Sequence, residues 1–111
     1  MSTMSDADPG RGWNFGSADT TEWLEWGGGG ARAKVLASGD GYHVAIVDAE
    51  PGYSGTPHVH DHAEMLHVLS GTVVTNGVTM QAGDAYVAEA GSEHLEFSTA
   101  TGATYLSIFR I

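Results

Sequence analysis

The sequence predicts an all-β, single-domain protein, and three observations carry that prediction. Short β-branched and apolar runs recur from residue 32 to the carboxyl end, divided by turn residues at nearly regular spacing. No stretch keeps a helical hydrophobic period over the length a stable helix needs. Sixteen glycines suit many short strands and tight turns, and 41% hydrophobic against 16% charged residues mark the chain as globular rather than disordered. With 111 residues there is material for one modest core and not for a second.

Taken in order, residues 1–12 mix Ser, Asp, Gly and Pro without an apolar run, so they read as a flexible tail lacking the segment a secretory signal requires. That points to a cytoplasmic protein whose domain spans residues 13–111. Glu22 to Trp26 alternates well enough for a short strand, which the four glycines 27–30 then break. Those glycines precede neither a helix pattern nor a Lys-Ser/Thr pair, so they read as a turn rather than a phosphate cradle. Strands are then expected near 32–37, 42–49, 56–60, 64–69, 72–75, 78–80, 85–88, 94–98 and 103–110. Gly71 is expected to stop the strand before it, and Asn76-Gly77 is a two-residue hairpin turn, since both residues tolerate positive φ. Strands this short must cover a core as a sandwich or barrel.

The chemistry concentrates in two segments, Gly52-x5-His58-x-His60-x3-Glu64-x6-Gly71 and Gly83-x5-Glu89-x-Gly91-x2-His94-x3-Ser98. His58 and His60 lie two apart, so on a strand both imidazoles leave from one face and can reach one ion. Asp61-His62-Ala63 reads as a turn that returns Glu64 alongside His60. Alternation places His94, Glu96 and Ser98 on one face, and an inward face brings His94 to the same point. Three imidazoles and a carboxylate are the ligand mixture divalent transition metals prefer.

These two segments resemble the two motifs of the cupin superfamily. The first matches letter for letter; the second departs where Glu89 stands for proline and Ser98 for asparagine, neither of them a ligand position. The resemblance implies a small single-domain cupin jelly-roll barrel, with His58, His60, Glu64 and His94 as metal ligands.

The remaining polar residues divide less sharply. His62 continues the alternation and competes with Glu64 as a ligand, although its turn neighbours place it on a solvent-facing rim. His67 falls on the opposite face of its strand from Glu64, and His43 reads as a hydrogen-bonded strand histidine. Glu96, if it faces inward, is a candidate catalytic base beside the ion; a local bulge would instead turn it to solvent. Glu89 and Glu93 read as surface charges, and Tyr42, Tyr53, Tyr86, Tyr105, Met65, Met80 and Phe97 as core or pocket wall.

Fourteen acidic residues against four basic ones give a net charge of −10, which opposes phosphate contacts and so excludes nucleic acid and anionic membrane as natural partners. With no cysteine, ligands must be nitrogen or oxygen. Such a centre suits Fe(II) first, with Mn, Ni, Co, Zn or Cu as alternatives. The expected function is a metal-dependent enzyme acting on a small-molecule substrate, foremost a non-haem dioxygenase holding a chelating substrate. Next comes an oxygen-independent isomerase, cyclase or lyase using the ion as a Lewis acid, and last a non-catalytic metal or ligand sensor. An exposed barrel edge and the aromatic amino-terminal stretch favour a homodimer.

Overall fold

A computed structural model describes residues 9–110, so the first eight residues of the expected tail lie outside it. The described residues form ten strands and no helix: β1 Leu24–Trp26, β2 Ala31–Gly39, β3 Tyr42–Ala49, β4 His58–Val59, β5 Glu64–Thr75, β6 Val78–Gln81, β7 Ala85–Ala88, β8 Glu93–His94, β9 Phe97–Ser98 and β10 Ala103–Arg110. The main sheet is antiparallel in the order β1-β2-β3-β10-β5-β6, with β7 and β9 also paired to β5; β4 and β8 pair separately. The all-β class read from the sequence is the observed one. No helix here is long and apolar enough to cross a membrane.

The core follows strand alternation. Ala45, Val47 and Ala49 of β3 and Ala103, Tyr105 and Ser107 of β10 are buried, while the residues between them are more exposed. Small inward residues on β2 and β3 leave room for rings: Phe97 meets Tyr105 at 5.3 Å between centroids, and Trp26, Tyr53 and Tyr86 pack on the same cluster.

Two expectations about strand limits are corrected. Gly71 does not stop its strand; β5 runs twelve residues through it. The β10 register places Tyr105 opposite Val68 but Thr104 opposite Ser70, so Leu69 is an extra residue and the side-chain parity shifts by one. Glu64, Leu66 and Val68 therefore face the interior before the bulge, and Val73 and Thr75 after it. Gly71 permits this crossing, with φ +80° and an α-carbon so close to the next strand that a Cβ would lie 2.2 Å from the Gly102 carbonyl oxygen. The expected 94–98 strand is likewise split into β8 and β9 around Leu95 and Glu96.

Candidate metal centre

The split between β8 and β9 is made by Asn76. In the hairpin turn at φ +45°, its side chain donates to the Glu93 carbonyl at 2.9 Å and accepts from the amides of Leu95 at 2.8 Å and Glu96 at 3.1 Å. Buried positions then fall at His94 and Phe97, three apart, instead of two. Glu96 is consequently exposed, and its carboxylate accepts from Gly77 N at 2.9 Å, capping the turn. Of the two orientations open to Glu96, the structure has the outward one: the kink turns the candidate catalytic base to solvent.

The four expected ligands are brought together, three of them closely. β4 pairs with β8 so that His58 stands opposite His94, and ring centroids are 4.8 Å apart for His58–His60, 5.2 Å for His58–His94 and 5.3 Å for His60–His94. One nitrogen from each ring lies within 4.8 Å of the others, a set that does not include Glu64. Glu64, at the start of β5, sits at its edge with Oε1 3.3 Å from His60 Nε2. His60 and His94 are buried, whereas His58 is exposed. His62 lies exposed on the rim, His43 contacts Ser38 Oγ at 2.6 Å, and His67 is half-buried within β5.

The hydrogen bonds assign the imidazole protons. His58 Nδ1 lies 2.9 Å from the Thr56 carbonyl, which can only accept, so Nδ1 carries the proton and Nε2 is left with its lone pair. Ser92 Oγ donates to the Glu89 carbonyl at 2.5 Å and so accepts from His60 Nδ1 at 3.2 Å. His60 Nε2 then presents a lone pair to the Glu64 oxygen, and two acceptors face each other across 3.3 Å. Only a positive charge, a proton or a metal ion, makes that arrangement favourable. His94 Nε2 is taken by Thr75 Oγ1 at 2.8 Å, while its Nδ1 is buried without a partner among the described residues. Imidazoles oriented by hydrogen bonds, one of them with an orphaned buried nitrogen, fit a divalent cation.

Electrostatics agree. Burial lowers the His94 pKa below the usual imidazole value of 6.5, with Glu64 opposing and His58 and His60 reinforcing the shift. The Tyr86 phenol is pushed far up by burial, by the charge of Glu64 and by its hydrogen bond to Glu64 Oε1 at 2.8 Å. Burial also raises Tyr105 and Tyr53, so these phenols stay protonated. They share a cavity of about 290 Å³ with Trp26, His58, Glu64, His94 and Phe97. His60, His94 and Tyr86 also border a second cavity of about 570 Å³ on the side of β6 and β7.

Sequence reasoning missed the supporting residues Thr75, Asn76, Tyr86 and Ser92. Asn76 was legible only as a turn residue, and Tyr86 only as a member of an unsorted aromatic set. No spacing rule ties Ser92 to His60, because their contact spans 32 positions.

Residues 14–109 match the family model described as the ChrR cupin-like domain. The pectin degradation protein KdgF of Dickeya dadantii is 33% identical over 96 residues, 82% of this chain and 86% of that protein. An RmlC-like cupin from Shewanella frigidimarina superposes with a TM-score of 0.75 at 25% identity over 86% of this chain and 88% of that one. An acetylacetone dioxygenase from Acinetobacter johnsonii gives a TM-score of 0.73 at 17% identity, covering 85% and 70%.

Proposed function

Because this chain belongs to the ChrR cupin-like family, we propose that it is a divalent-metal enzyme converting a small, oxygen-rich carbonyl or hydroxyl compound without consuming dioxygen. The observation that carries the reading is the close set of three imidazoles in which the partners of His58 and His60 draw their Nδ1 protons away from the cluster, with Glu64 set opposite the His60 Nε2 at 3.3 Å. His58, His60 and His94 would hold the ion, with Glu64 as the carboxylate of the set. The bound ion would supply Lewis acidity to a substrate oxygen.

The chain's own groups define what fits. Protonated Tyr53 and Tyr105 offer hydroxyl donors, Ser107 a further hydroxyl, and Trp26 and Phe97 apolar faces, in a space of about 290 Å³ that suits one small ring rather than a polymer. Glu64 is the carboxylate placed to take or return a substrate proton; exposed Glu96 has no such access. The KdgF relative, a pectin degradation protein, supports a substrate of the kind that pectin breakdown supplies. The overall charge of −10 does not forbid an anion here, because a divalent ion among neutral imidazoles leaves the site locally positive.

Oxygenase chemistry on a chelating substrate is the second reading. It is favoured by the compactness of the three-imidazole set apart from Glu64, which leaves more positions open to a two-oxygen ligand. Acting as a homodimer belongs to the same proposal: Trp13 and Phe15 stack on each other at 6.3 Å while 67% and 84% exposed. The deciding experiment loads the protein with Mn(II), Co(II), Ni(II), Zn(II) or Fe(II). Pectin-derived sugar acids, β-diketones and catechols are then followed in air and under argon. Equal turnover under argon supports the first reading, and oxygen uptake matched to product overturns it in favour of the second.

A further inference from the structure

The glycine run 27–30 has a neighbour that accounts for part of its composition. Gly27 and Gly30, at φ +62° and +83°, lie against the Tyr53 ring: a Cβ at Gly27 would overlap the Tyr53 hydroxyl oxygen, and one at Gly30 would come within 3.2 Å of Tyr53 Cδ1. Phe97 meets the same ring edge-on, with centroids 6.4 Å apart. The backbone ties these segments together, since Glu50 N donates to the Gly30 carbonyl at 2.9 Å, Tyr53 N to the Glu50 carbonyl at 3.0 Å and Thr99 N to the Tyr53 carbonyl at 3.0 Å. The phenol is thus held in place, yet its hydroxyl makes no hydrogen bond to any described residue. Tyr53 and Gly27 both line the cavity of about 290 Å³ that also reaches His58 and His94. Tyr86, on the same cavity, differs because its hydroxyl donates to Glu64 at 2.8 Å. A fixed donor without a protein partner, beside a cavity, is a group set to meet a ligand.

From this seat we infer that Tyr53 is a specificity-determining residue whose hydroxyl donates to a ligand oxygen not bound to the ion, with Gly27 as the positioning residue that gives the phenol its place. The inference rests on the metal reading above. The ligand it selects is a small ring carrying two adjacent oxygens for the histidine cluster and a third for Tyr53. An analogue without the third oxygen leaves the phenol unpaired and is bound less well. The glycine run then serves recognition of the ligand.

The test measures binding by calorimetry to the Zn(II)-loaded full chain under argon, where the ion brings no redox step of its own. Catechol is compared with pyrogallol and hydroxyquinol, which between them add a third hydroxyl at each distinct position of the catechol ring. The native protein should bind one of the two at least about fivefold more tightly than catechol, the scale of one hydrogen bond. Tyr53→Phe should erase that preference while leaving catechol affinity, Zn(II) content and the urea midpoint unchanged, since the hydroxyl has no partner in the fold. Gly27→Ala should erase it too, at full Zn(II) content, by displacing the phenol. A preference that survives Tyr53→Phe overturns the assignment, as does a native protein that holds Zn(II) but prefers neither trihydroxy ligand or binds none of the three. Equal loss of catechol and the trihydroxy ligand in Tyr53→Phe also overturns it, by marking a role in the fold alone. A native protein that takes up no Zn(II) instead defeats the metal reading, and the assignment with it.

Discussion

At the residue scale, the site is a problem of where protons sit. An imidazole offers a lone pair to a cation only when its other nitrogen carries the hydrogen, and here Thr56 O and Ser92 Oγ fix that choice for His58 and His60. Ser92→Ala removes the partner of His60 Nδ1 and is expected to weaken metal binding about 10- to 100-fold, read by calorimetric titration. Unchanged affinity would contradict the tautomer assignment. His94 gives a pH prediction. Burial lowers its pKa, so the folded chain binds that proton less readily than the unfolded chain does. Its contribution to stability is therefore intact above the unfolded value of about 6.5 and is lost as pH falls below it. Urea midpoints of the metal-free protein should decline from pH 7 toward pH 5, and His94→Gln should flatten that decline.

At the element scale, the site depends on two irregularities that interrupt otherwise regular strands. The bulge at Leu69 moves Thr75 onto the face of His94, and the Asn76 clamp bends the 93–98 segment so that His94 and Phe97 are both interior. Gly71→Ala should cost at least about 1–2 kcal/mol for the left-handed backbone alone, with the Gly102 contact adding to it, measured as a shift in the denaturation midpoint. Glu96→Gln should leave metal content and turnover unchanged, since its carboxylate caps the turn at Gly77; a large fall in rate would restore it to the chemistry.

The residues gathered at the cluster were legible because each lies within a local pattern: His58 and His60 by period two, Glu64 by the strand that follows the turn, His94 by the second motif. Glu96 stayed open between an inward and a solvent-facing position because alternation describes an uninterrupted strand, and the interruption is written in Asn76, about twenty positions away. Gly71 was read as a stop because glycine commonly ends strands; here a close backbone approach requires it. The partners Ser92 and Tyr86 belong to contacts 32 and 22 positions long, which no pattern along the chain encodes.

At the scale of the molecule, a curled sheet with small residues on its inner face packs an aliphatic and aromatic core and leaves beside it a cavity that meets the histidine cluster, walled by rings together with Thr56, Glu64 and Ser107. Such a centre ties cofactor to fold, because an ion that binds only the native state stabilises it by mass action, about 2.7 kcal/mol at a concentration a hundredfold above Kd. Melting should therefore move upward with added metal and return on chelation, and the shift should disappear in His58→Ala. The measurement that meets the central claim most directly is the metal content of the purified protein by elemental analysis, compared with that of His60→Ala. The account predicts close to one divalent transition-metal ion per chain in the native protein and almost none in the variant. A native protein that stays metal-free after exposure to each candidate ion, or a variant that keeps a full complement, would contradict it.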